Sequence, residues 1–342
     1  MSAELIVHRA GPGVSVQDTG RPGFLGFGLS RGGAVDPLAL AEGAALLGQP
    51  GDCAALELAG MGGEFEATAD IRIALTGAPM AARLDGARLA WNASHDVPAG
   101  SRLSIGAVEA GYYGYLHVGG GIDTPERLGA RGVHLAAGIG DVIAAGTRLP
   151  LGDDARPERT GLTFDPAPRF AGGEVRIVES LQTDFFTNEE RARFEATTFH
   201  RDARGNRMGV AARPEGEGFH STEGLSVLSE VITPGDIQVT GDGTPFVLLA
   251  ECQTTGGYPR IGTVIPADLP IVAQAPAGAA LRFRFVSLAA AVEAEGKARA
   301  ARDALPRSLR PLVRRPEDIP DLLAYQLISG VTDGRPETGD DT

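Results

Sequence analysis

The sequence predicts a mainly β fold of two lobes with a few peripheral helices, on three observations. Apolar and polar residues alternate with a period of two in several short runs, as half-buried strands require. The 48 glycines are about twice average usage and are spread along the whole chain, as turns between short strands would place them. A polar segment from Asp153 to Arg169, with prolines at 157, 166 and 168, divides a chain of 342 residues that exceeds the usual single-domain range. The expected lobes are residues 1–155 and 170–334, followed by a disordered tail over 335–342.

Two helices stand out in the sequence, and the first is marked by its cap. Asp36 before Pro37 supplies a carboxylate for the free first-turn N–H groups and a residue that has no N–H to leave unpaired. The helix runs through Leu40, Ala44 and Leu47 and stops near Gly48. Ile71–Thr76, Glu174–Val178 and Leu281–Phe285 alternate and read as strands with one buried face. Phe246–Ala250 is a continuous apolar run, suited to a strand covered on both sides. Pro234-Gly235 and Gly241-Asp242-Gly243 are turn signals. From about Leu288 to Ala304 the composition is that of an exposed helix. Prolines 306, 311, 316 and 320 then make an extended strap, and residues 321–328 form an apolar element that docks back.

Composition narrows the function. A net charge of −13 argues against nucleic acid or an anionic membrane as partner, since each attracts a basic face. Cys53 and Cys252 fit neither a zinc site nor a disulfide framework, and the six histidines are scattered singly, so no metal site is expected. The N-terminus lacks a signal-peptide pattern and no apolar run approaches the ~20 residues of a membrane span, so the expected location is cytoplasmic. No phosphate loop, H-E-x-x-H or G-x-S-x-G pattern occurs.

Four glycine-rich polar segments remain as candidates for binding a small molecule. Gly13–Gly33 places Gln17, Asp18, Arg21, Ser30 and Arg31 in a turn-rich loop, which reads as an anion or carboxylate site or as a loop closing a lobe. Gly120 and Gly121 follow the aromatic run Tyr112–Leu116 and allow close backbone approach to a ligand or a bulge, and Arg131 follows shortly. Arg207 lies in Asn206–Gly209. Gln253, Thr254 and Tyr258 lie in the densest segment, Gln253–Arg260, which leaves the apolar run 246–250 as a pocket loop would.

Several ordered motifs resemble the allophanate hydrolase subunit 2 family, a biotin-dependent carboxyltransferase group that includes proteins like the 5-oxoprolinase C-subunit. They are VQDTGRPG (16–23), VGGGID (118–123), RMG (207–209), SEVITPGDIQV (229–239) and QTTGGYPRIGTVI (253–265), followed by Asp268, Gln274 and LISGV (327–331). The resemblance spans roughly residues 4–334. It implies two cyclophilin-like β-barrel lobes and action within a heteromer. The implied partners are a B-type companion, of the allophanate hydrolase subunit 1 type, and an A-type companion that handles the lactam. The implied activity is opening of the 5-oxoproline ring to glutamate, with ATP used by the complex.

Two alternatives accompany that reading. One is a urea or amide carboxyltransferase component, with biotin carried by another chain because no Met-Lys-Met-like attachment segment occurs here. The other is a non-catalytic regulatory protein of the kinase-inhibitor-antagonist type. By resemblance, Gln17, Asp18, Arg21, Arg131, Arg207, Gln253, Thr254 and Tyr258 line one cavity. Asp18 would be the base, the arginines would hold a carboxylate or phosphorylated intermediate, and the Gly120 and Gly121 amides would face an oxyanion. The chain departs from the pattern at Gly129–Val133, which lacks three hydroxyls, and at Val210–Ala212, which lacks a Tyr and an Arg. Ala44 and Gln49 stand where the pattern has Asn.

Overall fold

A computed structural model describes residues 3–222 and 228–313. The first lobe holds two antiparallel sheets. One is ordered Arg148–Pro150, Glu4–Ala10, Gly63–Ala67, Arg102–Val108, Met80–Leu84, Ala87–Arg88. The other is ordered Ser15–Gln17, Ala55–Ala59, Tyr113–Val118, Ile71–Gly77, Ala93–Val97, Leu162–Thr163, Arg310–Pro311. Alternate residues of the two sheets meet in one core, with Leu5, Val7, Phe65 and Leu103 from the first and Leu56, Leu58, Ile73, Leu75, Leu116 and Val118 from the second.

The second lobe is the closed barrel that the resemblance implied. Its strands run Gly173–Val178, Arg260–Val264, Asp236–Val239, Pro245–Leu248, Gly209–Pro214, Phe199–Asn206, Ala280–Phe285. Parallel pairing of Gly173–Val178 with Ala280–Phe285 closes the ring. Phe194, Phe199, Phe219 and Phe283 fill part of its core, with centroids 4.9–5.7 Å apart in tilted, edge and stacked contacts.

Four helices lie among the described residues: α1 (Pro37–Leu47), α2 (Asn188–Ala196), α3 (Leu269–Gln274) and α4 (Leu288–Ser308). Asp36 caps α1 by accepting from the Leu38 and Ala39 N–H groups, and Gly48 ends it in a left-handed conformation (φ 63°). α1 lies on the seven-stranded sheet, where Thr76 Oγ1 donates to the Ala39 carbonyl at 2.9 Å.

The proline-bearing segment packs more than its composition suggests. Phe164 is buried with Leu46, Leu47 and Ala74, because the underside of α1 needs apolar cover. Arg310–Pro311 pairs with Leu162–Thr163, so the strap returns to the first lobe's sheet. The apolar element 321–328, the 327–331 motif and the 335–342 tail lie outside the described residues. The lobes share a core in which Ala34, Val35, Ala39, Leu40, Ala55, Tyr113 and Tyr115 meet the barrel interior and α3.

Candidate functional site

The site lies where polar groups are embedded in this shared core. Gln274, at the end of α3, is fully buried and has four bonds across the interface. Its Oε1 accepts from the Tyr112 and Tyr113 N–H groups at 3.1 and 2.9 Å. Its Nε2 donates to the Tyr113 carbonyl at 2.9 Å and to Asp36 Oδ2 at 2.8 Å. Asp36 also accepts from Arg169 Nε at 2.8 Å, and Arg169 forks onto Glu42 at 2.7 and 2.9 Å. One side chain thus fixes the start of the Tyr113–Val118 strand and the cap of α1 against the second lobe.

Arg207 is the second cross-lobe tie. Its Nε donates to Glu251 Oε1 at 2.7 Å, its Nη1 to Glu57, and its Nη2 to the Gly33 carbonyl at 2.5 Å. The remaining Glu57 oxygen accepts from the Tyr115 hydroxyl at 2.6 Å and the Val35 N–H at 2.9 Å. Glu251 Oε2 accepts from the Ala136 N–H at 3.0 Å. Burial, with Glu57 alongside, raises the Tyr115 phenol well above its ordinary range, so it stays a neutral donor. These carboxylates hold the lobes together.

A cavity of about 450 Å³ opens beside Arg207 between the lobes. Tyr112, Tyr113, Asn206, Arg207, Met208 and Glu251 are among its walls, with Gly205, Ala59 and Leu135. A second cavity of about 460 Å³, in the first lobe, is lined by Arg72, Asp153, Asp154 and Gly119. Its principal cation is closed off, because Arg72 forks onto Asp154 at 2.5 Å. The inter-lobe cavity joins both lobes, an aromatic pair and an arginine, and is the better ligand site.

The sequence-nominated residues fall into four places. Gln17, Asp18, Arg21 and Arg131 form one loop cluster. Asp18 accepts from the N–H groups of Gly20, Arg131 and Gly132 at 2.8, 2.6 and 3.0 Å. Arg21 is 1% exposed and donates to the carbonyls of Arg127 and Gly132. Burial lowers its pKa, with Asp18 and Glu251 opposing. Arg131 is paired with Asp123 at 2.7 Å, and Gln17 donates to Ser15 at 3.1 Å. Arg207 alone of the set lines the inter-lobe cavity.

Gly120 and Gly121 serve the backbone. Their N–H groups donate to Gln49 Oε1 and the Val118 carbonyl, and Gly119 donates to the Arg72 carbonyl. A Cβ on Gly120 would lie 2.3 Å from the Gly152 carbonyl oxygen. With its donors engaged, this turn does not fit a phosphate or oxyanion cradle. Thr255–Gly256 pairs with Glu230–Val231 in a two-stranded ribbon, leaving Gln253 and Tyr258 exposed and Thr254 half-buried, away from the cavity walls.

Residues that sequence reasoning missed are Glu57, Glu251, Tyr112, Tyr113, Arg201 and His134, the last being the partner of Ser30 in the first candidate segment. His134 Nδ1 accepts from the Ala137 N–H at 3.2 Å, so Nε2 carries the proton and donates to Ser30 Oγ at 2.9 Å. That polarity leaves the serine unactivated. The signal available was weak, since Glu57 and Glu251 sit inside apolar runs that read as strand.

The comparisons agree with this architecture. A family model described as carboxyltransferase domain, subdomain A and B, matches residues 27–285. The chain is 35% identical over 297 residues to the 5-oxoprolinase C-subunit of Escherichia coli (strain K12), covering 85% of this chain and 94% of that one. It is 30% identical over 302 residues to a putative urea carboxylase of Emericella nidulans, covering 80% of this chain but 23% of that much longer protein. The crystal structure of TTHA0988 is similar with a TM-score of 0.75 and 30% identity, over 83% of this chain and 55% of that one. The chain therefore belongs to the carboxyltransferase-domain family that includes the 5-oxoprolinase C-subunits.

Proposed function

We propose that this chain is the carboxyltransferase-type component of an ATP-dependent 5-oxoprolinase, inactive alone and acting in the cytoplasm with B-type and A-type companions. The observation that carries the reading is its 35% identity to a 5-oxoprolinase C-subunit across 94% of that protein. The inter-lobe cavity, with Arg207 and Tyr113 in its wall, gives the reading a place for a small anionic lactam.

The chain's contribution is binding and orientation. Asp18, nominated as a base, has both carboxylate oxygens occupied by backbone N–H groups, those of Gly20, Arg131 and Gly132. Its role is to shape the loop that carries Arg21 and Arg131. Arg207 has its donors on Glu57, Glu251 and Gly33, and it positions the cavity wall. ATP, used by the complex, supplies the energy for lactam opening. Reconstitution tests the reading: 5-oxoproline-dependent ADP release is expected from the complete set and lost when this chain is left out. Unchanged release without the chain overturns it.

A further inference from the structure

Arg201 sits on the second lobe's Phe199–Asn206 strand and is 2% exposed. Its Nη1 donates to the carbonyls of Asp202 and Ala203 at 2.8 and 3.3 Å. Its Nε and Nη2 are buried with no hydrogen-bond partner among the described residues. The neighbouring acids are already engaged: Asp202 with Arg204 and Arg213, and Glu57 and Glu251 with Arg207. A buried guanidinium without a counter-ion is costly, and two unmade donor bonds add to that cost.

The geometry says which ligand would relieve it. Nε and Nη2 are the side-on pair of a guanidinium, the pair that meets both oxygens of a carboxylate. The Arg201 Cζ lies 4.8 Å from the centroid of the Tyr112 ring. A Cβ on Gly205 would lie 2.8 Å from Arg201 Nη2, so the missing side chain is what lets the cation approach that backbone. Tyr112 and Gly205 are both walls of the inter-lobe cavity. The Arg201 guanidinium therefore lies behind the cavity wall, against the Tyr112 ring and the Gly205 backbone.

We propose that Arg201 anchors the carboxylate of a small ligand in the inter-lobe cavity, with the Tyr112 ring as a cover that turns aside on binding. Naming the ligand as 5-oxoproline rests on the functional reading above; the carboxylate subsite does not. The test is calorimetric titration of the full chain with 5-oxoproline, with 2-pyrrolidone (the same ring without the carboxylate), and with benzoate and L-proline. Wild-type chain is expected to bind 5-oxoproline at least tenfold more tightly than 2-pyrrolidone. Arg201→Met is expected to abolish that difference and Arg201→Lys to restore part of it, with thermal melts confirming that both variants fold.

Binding of benzoate or L-proline, lost in Arg201→Met, but not of 5-oxoproline would keep the subsite and sink the 5-oxoproline reading. Equal binding of 5-oxoproline by wild type and Arg201→Met, or no carboxylate binding at all, overturns the proposal. If Arg201→Met fails to fold, Tyr112→Ala decides: retained carboxylate preference supports a cover, and its loss contradicts one.

Discussion

At the scale of single residues, the lobes are joined by buried polar groups whose partners are far away in sequence. Gln274 and Arg207 were both visible as motif residues, but their partners were not, since Glu57 lies 150 residues from Arg207 within an alternating strand. Pattern reading assigns such a glutamate to a polar face, whereas here the second lobe covers that face. His117 is a further buried group, with Nε2 2.8 Å from Thr76 Oγ1. Burial pushes its pKa down to about 3, so it folds as the neutral imidazole. The sign follows: the stabilisation is present above the ordinary value near 6.5 and is lost as pH falls towards 3, on the order of 5 kcal/mol in all. Urea midpoints measured from pH 7 to pH 4 should fall, and His117→Gln should flatten that fall. An unchanged slope in the variant contradicts the assignment.

Among elements, α1 was the most legible, because capping chemistry is local: Asp36, Pro37 and Gly48 define it within 13 residues. α2 was missed because only Phe194 of its nine residues is buried, so it shows little amphipathic pattern. α3 was missed because six residues with a proline near the start are too short for periodicity to decide. The Gln253–Arg260 segment shows the opposite failure. Its polar, aromatic composition suits a pocket loop, yet cross-strand pairing of Thr255–Gly256 makes its middle a ribbon that leaves Gln253 and Tyr258 exposed, while Arg260 is buried at the start of a barrel strand. Packing of α1 gives the prediction at this scale. A Cβ on Gly43 would meet the His117 ring at 2.3 Å. Replacing a helical glycine by alanine ordinarily gains about 1 kcal/mol. Here Gly43→Ala is expected to destabilise by about 2 kcal/mol, since overpacking outweighs that gain. A raised denaturation midpoint would show that the helix has room to move.

For the whole molecule, the two-lobe, mainly β organisation was readable because glycine-punctuated alternation persists along the chain. What alternation does not encode is closure: the second lobe closes as a barrel, while the first divides its strands between two sheets around one core. Nor does it encode the lobe interface, where the cavity is found. Arg207 is the electrostatic tie across it, with Glu57 and Glu251 both buried. Arg207→Met strands two carboxylates out of water and is expected to cost about 3–5 kcal/mol in denaturant unfolding. Adding Glu57→Gln should return part of that loss, and additive losses would contradict the pairing. The central claim is that this two-lobed chain is a necessary part of a lactam-opening complex. Its most direct test is glutamate formed from 5-oxoproline and ATP by the companion proteins with and without this chain. Glutamate formation should collapse to background on omission and return when the chain is added back; the same glutamate yield in its absence would contradict the account.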